Sequence, residues 1–269
     1  MIGQWMRLNR LFRGGQRAVL VALDECLLGE PGRGPIVSPE VIAELAEADG
    51  IILTSGMLRR CAHGFDYRGA PLAVVRIDCA ALPQTEGYRA PSTAAVVEPA
   101  AAQAMGADMV LMSLAMTRTD AEADAGAVAA VARAVSEKLR CGVPLIGEVR
   151  PPHAGSMLAD ALFAQTDAGC RLMSELGADA VISIFTGERF AETAAACSVP
   201  LLAMPQTAAA TKLDVLHFAY QAVKAGARGV RVGREVTGTA NPAALLRALQ
   251  AVVKDEKDPD AAAAEHGVR

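Results

Sequence analysis

A chain of 269 residues that is 52% hydrophobic can bury one large core, and it lies near the roughly 250 residues usual for an eightfold β/α barrel. Its 26 basic and 30 acidic residues leave a formal charge of −4 and form no basic stripe, which argues against a nucleic-acid partner. Six cysteines without C-x-x-C spacing read as reduced thiols, no apolar run reaches about 18 residues and residues 1–15 lack a signal-peptide stretch, so a soluble cytoplasmic protein with no membrane partner is expected.

Residues 1–13 predict an extra amphipathic helix closing the bottom of a barrel, within an N-terminal extension of residues 1–16. Eight apolar runs bounded by turn residues predict strands at 19–24, 50–54, 73–78, 109–113, 144–149, 180–185, 200–204 and 229–233. Helical patterns separate them, at 39–48 after a Ser38 cap, 57–64, 99–105, 120–140, 157–176, 189–197 and 212–225, with 242–254 following an Asn241-Pro242 start. Three helix-to-strand joins repeat one pattern: Met105-Gly106-Ala107-Asp108, Leu176-Gly177-Ala178-Asp179 and Ala225-Gly226-Ala227-Arg228. The glycine can end the helix in a left-handed conformation, and the apolar residues that follow read as a strand covered on both faces. Two other joins place Pro144 and Pro200 at a strand's first position, where a missing donor is tolerated. The serial repeat predicts a single (β/α)8 barrel over residues 17–254, followed by a flexible, frayed tail at 255–269.

In such barrels the active site is built from the loops after the strands. In order, the predicted strand ends supply Asp24-Glu25, Thr54-Ser55, Asp78-Cys79, Ser113, Glu148 with Arg150 and His153, Thr186-Gly187, Gln206-Thr207 and Gly233-Arg234-Glu235.

The run Ala225-Gly226-Ala227-Arg228-Gly229-Val230-Arg231-Val232-Gly233-Arg234 resembles the final strand of the archaeal-type class I fructose-bisphosphate aldolases. Their relatives include the autoinducer-2 thiolase and the aminodideoxyheptulosonate synthases. The likeness extends back through Ala219-Tyr220-Gln221-Ala222-Val223-Lys224 and Leu176-Gly177-Ala178-Asp179-Ala180-Val181 to Val21-Ala22-Leu23-Asp24, covering most of residues 17–254. It implies an aldolase-type TIM barrel. It also implies that Ile182 stands where those enzymes carry the Schiff-base lysine, and isoleucine cannot form the iminium that serves as electron sink. By the same matching, Arg150 before Pro151 replaces a proton-shuttling tyrosine, Asp24-Glu25-Cys26 keeps only the aspartate of Asp-His-Gly, and Pro205-Gln206-Thr207-Ala208 replaces a phosphate-holding Gly-Gly-Pro-Lys.

Read as chemistry, Asp24, Glu25 and Glu148 converge at the barrel mouth, with Asp78 as a possible fourth acid. Such a set can pair with Arg150, hold a proton for acid–base work or bind a divalent cation, and no His-x-His or His-x-x-x-His spacing favours the metal. No other cofactor is expected. Gly233 and Arg234, with Gln206 and Thr207, are the expected phosphate-binding residues, since an arginine can hold two phosphate oxygens at once. Lys212 is the lysine placed near the mouth, at a helix start where it would be exposed. Cys26 and Cys79 lie beside acids that disfavour the thiolate, and His153 reads as a solvated loop residue. The expectation is a homo-oligomeric, lyase-type enzyme acting on a small phosphorylated or carboxylated carbonyl compound with Asp24, Glu25, Glu148 and Arg150 as catalytic residues. The alternative is an inactive relative that binds a sugar phosphate or a partner.

Overall fold

The computed structural model describes residues 2–12, 15–24, 27, 37–80, 93–152, 154–207 and 209–268; Glu25, Cys26 and His153 lie outside them. The chain opens with α1 (Ile2–Phe12), β1 (Ala18–Ala22), α2 (Pro39–Glu44), β2 (Gly50–Thr54), α3 (Ser55–Arg60) and β3 (Leu72–Arg76). A short antiparallel pair follows, β4 (Asp78–Ala80) with β5 (Thr93–Ala95), then α4 (Pro99–Ala104), β6 (Met109–Leu114), α5 (Ala121–Cys141), β7 (Leu145–Val149) and α6 (Ala159–Leu176). The last part runs through β8 (Ala180–Ile184), α7 (Phe190–Ala196), β9 (Leu201–Met204), α8 (Lys212–Lys224), β10 (Gly229–Val232), α9 (Arg234–Thr237), α10 (Pro242–Asp255) and α11 (Pro259–His266). Eight parallel strands close in the order β1-β2-β3-β6-β7-β8-β9-β10 and return to β1, forming a (β/α)8 TIM barrel.

The strands close because their side chains satisfy two apolar surfaces at once. Alternate residues point to opposite faces. Leu20, Ile52, Val74, Leu111, Ile146, Ile182 and Leu202 form one buried cluster inside the barrel, while Val19, Val21, Ile51, Val75, Val110 and Val181 belong to a second one shared with the helices. Leu11 and Phe12 of α1 join the inner cluster, so α1 caps the end of the barrel where the strands begin.

The repeated joins are built as the sequence suggests: Gly106, Gly177 and Gly226 adopt φ of 105°, 108° and 93°. Aspartates at the helix-to-strand joins do further work. Asp108 accepts the Ala73 amide (3.0 Å), Asp179 the Leu145 amide (2.7 Å) and Asp49, at the join before β2, the Val19 amide (2.8 Å), so each satisfies a donor in the first two residues of a neighbouring strand. Each is also bound to a cation: Asp49 by Lys254 and Asp108 by Arg10, both at 2.7 Å, and Asp179 by Lys138 at 2.5 Å.

Two expectations change. The third strand ends at Arg76, and Asp78 starts the β4–β5 ribbon: the Ile77 amide still donates to the Leu111 carbonyl of β6, but the Ile77 carbonyl accepts the Val96 amide beside β5 (both 2.9 Å). The C-terminal tail is not frayed over its length: α11 is capped by Asp258, whose side chain accepts the Ala261 amide, and it buries Pro259, Ala262 and Ala263 against α8 and α10. Its alanine content, which suggested weak packing, is what lets it approach those helices closely. Among the described residues no helix is long and apolar enough to cross a membrane.

Candidate active site

At the end of the barrel where the strands finish, the inner face changes from apolar to charged. Asp24 follows β1, Arg76 ends β3, Asp78 begins β4, Ser113 lies on β6, Glu148 on β7 and Arg231 on β10. The register places Thr54 beside Arg76, Ser113 beside Glu148 and Glu148 beside Ile182. Ile182 is fully buried in the inner cluster and presents only hydrocarbon to Glu148.

Arg76 holds the group together. Its Nε donates to Asp24 Oδ2 in a very short contact, Nη1 donates to Asp78 Oδ1 (3.1 Å) and Ser113 Oγ (2.7 Å), and Nη2 donates to Glu148 Oε2 (2.6 Å). Ser113 Oγ donates in turn to Glu148 Oε2 (3.0 Å), and the Ser113 amide donates to Asp78 Oδ2 (3.1 Å). Arg76, Asp24 and Glu148 are completely inaccessible to solvent. Burial alone would strip the Arg76 guanidinium of its proton more easily, but the three carboxylates overcome this and hold it charged far above its ordinary range. Burial likewise pushes Glu148 up, yet Arg76, Arg150 and Arg231 outweigh it and hold its carboxyl down at about 2. Asp78 moves the other way: burial raises its pKa, and Arg76 with the Ser113 amide offsets this only in part. One cluster thus contains an acid kept firmly ionised and another eased toward protonation.

The sequence-predicted residues divide. Asp24, Asp78 and Glu148 come together, and the cation that binds all three is Arg76, a residue inside the third apolar run. Arg150 is half-buried just past β7 and acts on Glu148 electrostatically. Thr54 is spent on the backbone, its Oγ1 accepting the Met57 amide at 3.3 Å to cap α3. Gly233 and Arg234 sit at the start of α9, where Glu235 already accepts the Gly233 amide (2.9 Å). Gln206 and Thr207 are exposed, and Gln206 donates to the Ala154 carbonyl (3.1 Å), tying the loop after β9 to the one after β7. Lys212 opens α8 and is half-buried, and Cys79 is kept protonated first by burial and then by Asp78. Among the described residues no group of three or more His, Cys, Asp or Glu side chains could hold a metal ion. Arg76 and Arg231 were legible in principle, each being a lone charge at an inward-facing position of an apolar strand, where burial demands a partner.

No family model matches the chain. It is 28% identical over 271 residues to an uncharacterized aldolase of Saccharolobus solfataricus, covering 96% of this chain and 97% of the relative. It is 25% identical over 257 residues to 2-amino-3,7-dideoxy-D-threo-hept-6-ulosonate synthase 1 of Archaeoglobus fulgidus, covering 94% and 92%. The chain is thus similar along nearly its whole length to aldolases and to aminodideoxyheptulosonate synthases. The same barrel fold is seen in an archaeal fructose-1,6-bisphosphate aldolase solved with its catalytic lysine covalently bound to the carbinolamine intermediate. That structure matches with a TM-score of 0.75 and 20% identity over 93% of this chain and 99% of the other. The barrel fold is therefore shared with these proteins, while the charged layer has to be read from this chain's own residues.

Proposed function

We propose that this chain catalyses a lyase-type cleavage or formation of a carbon–carbon bond. The substrate is a small phosphorylated or carboxylated carbonyl compound, and no Schiff base to the strand-β8 position takes part. The names carried by its relatives support the reaction class. One observation carries the reading to this chain: five charged side chains, Asp24, Arg76, Asp78, Glu148 and Arg231, are gathered at the strand ends, where an apolar layer like those below would cost far less to bury. With Ile182 at the position matching the family's lysine, electron density released by bond cleavage has to be met by fixed positive charge in place of an iminium. Arg150 and Arg231 fit that role, Asp24 or Glu148 takes the proton of the substrate hydroxyl, and Arg234 with Gln206 and Thr207 holds a distal phosphate or carboxylate, the Gly233 amide joining them only if it exchanges Glu235 for the ligand.

A second reading has an observation of its own. A carboxylate held at a pKa of about 2 is a weak base, which favours a protein that binds a sugar phosphate without turning it over. Incubation with a panel of phosphorylated ketoses and 2-oxo acids, with and without borohydride, separates these. Turnover without any lysine adduct is the expected result. An adduct on Lys212 or another lysine would restore the Schiff-base route, and binding without turnover would establish the second reading.

A further inference from the structure

Arg76 and Arg231 lie on the same inner face, yet their hydrogen-bonding capacity is used very differently. Arg76 spends four donor contacts on Asp24, Asp78, Ser113 and Glu148 and is sealed from solvent. Arg231 reaches toward Asp24 with Nη2 at 3.6 Å from Oδ1, beyond hydrogen-bond distance, and its buried Nε has no partner among the described residues. The two acids are half used in the same sense. Asp24 gives Oδ2 to Arg76 and keeps Oδ1, and Glu148 gives Oε2 to Arg76 and Ser113 and keeps Oε1, both buried and without a hydrogen bond among the described residues.

A leftover donor and two leftover acceptors, all buried, describe a ligand that brings an oxygen acceptor and a hydroxyl. Charge decides whether that ligand portion is ionic. Asp24, Asp78 and Glu148 face Arg76, Arg150 and Arg231, three charges of each sign, so a further full anion at this depth would have no counter-ion. An uncharged hydroxy-carbonyl group brings no such cost.

We propose that Arg231 binds and polarises the carbonyl oxygen of a β-hydroxycarbonyl group whose hydroxyl lies on Glu148 Oε1 and Asp24 Oδ1, and that Arg76 is a positioning residue fixing both acids. This rests on the lyase-type reading. In that reaction the hydroxyl proton passes to one carboxylate and the carbon–carbon bond breaks. Its electron pair moves into the carbonyl fragment, leaving an enolate oxygen beside Arg231, while the other fragment departs as an aldehyde or ketone. The carboxyl group then returns its proton to the enolate carbon. One carboxylate is neutralised as one oxyanion forms, so the buried charge total never changes. That is the arrangement a low-dielectric site requires.

The test uses neutral probes, so that phosphate binding does not enter: 4-hydroxy-2-butanone, with 2-butanone lacking the hydroxyl and 1,3-butanediol lacking the carbonyl, titrated by saturation-transfer NMR. The wild-type protein should bind 4-hydroxy-2-butanone at least tenfold more tightly than either analogue. Arg231→Gln should erase the advantage over the diol, and Arg231→Lys, which keeps the charge but loses Nε, should restore only part of it. Arg76→Lys should move the pH midpoint of probe binding upward, which a purely structural arginine would not do. Equal binding of the three probes, no binding of the hydroxyketone, or unchanged selectivity in a folded Arg231→Gln protein would each overturn the assignment. Selective binding without turnover of any substrate would instead sink the lyase reading and leave the Arg231 assignment standing.

Discussion

The two ends of this barrel use charge in opposite ways. Where the strands begin, Asp49, Asp108 and Asp179 each accept a strand amide and each face a cation, and with Gln4 donating to Asp179 Oδ1 both oxygens of every carboxylate are occupied. Where the strands end, Asp24 and Glu148 share one cation and each keeps an oxygen without a hydrogen bond among the described residues. A completed network stabilises the fold. An incomplete one, held in place by a completed core around Arg76, is poised for something outside the chain.

The largest test of this contrast is Arg76→Leu. It strands three buried carboxylates and should cost about 3–5 kcal/mol in denaturant unfolding at neutral pH. The abandoned acids would have raised pKa values, so their penalty disappears as pH falls through them, and the variant should be more stable at pH 5 than at pH 8. A loss that is independent of pH would mean that Arg76 acts by packing.

In the wild-type protein the sign reverses. Glu148 has its folded pKa depressed from 4.5 to about 2, so its stabilisation, about 3 kcal/mol at 1.4 kcal/mol per unit, is present above about pH 4.5 and is lost as pH falls toward 2. Asp78, raised above its ordinary value of 3.8 first by burial, works against this just above that pH and flattens the curve there. Unfolding curves between pH 6 and pH 2.5 should show the loss, and Glu148→Gln should remove that part of the slope. An unchanged slope in that variant would place the acid sensitivity elsewhere.

At the opposite end, Asp179→Ala removes the acceptor for the Leu145 amide and leaves Lys138, only 2% exposed, without its carboxylate. A loss of about 2–3 kcal/mol is expected, with ligand binding unaffected because the residue lies at the far end of the strands. Altered ligand affinity in a folded Asp179→Ala protein would break the separation of the two ends. The smallest effect belongs to Arg10→Ala: Arg10 is 59% exposed, and its pair with Asp108 should be worth less than about 1 kcal/mol by thermal melting. A larger loss would mean that α1 is held mainly by that contact.

Much of the scaffold was legible because it is written in local chemistry. Ser38, Asp120, Thr211 and Asn241 cap their helices through side-chain acceptors, and each barrel strand falls within about two residues of an apolar run in the sequence. Pro144 and Pro200 precede their strands by one residue and still contribute, each carbonyl accepting a neighbouring strand's amide (Val110 and Val181, both 2.9 Å). The site was legible only in part. Asp24, Asp78 and Glu148 stand at strand ends and were visible as mouth residues, whereas Arg76 and Arg231 look like interruptions of strands until their inward parity is combined with closure of the sheet.

The sequence by itself therefore determined the number of strands, their joins and the acids that end them, because helix caps, left-handed glycines and period-two burial act over a few residues. Only the tertiary structure decided which charges meet. Arg76 finds Asp24 and Glu148 across 52 and 72 positions of chain, and closure of β10 against β1 brings Arg231 to Asp24. The same holds for α11, whose alanines acquire a packing surface only once α8 and α10 lie side by side. Electrostatic energy depends on separation in space and on burial, and neither is a property of sequence spacing.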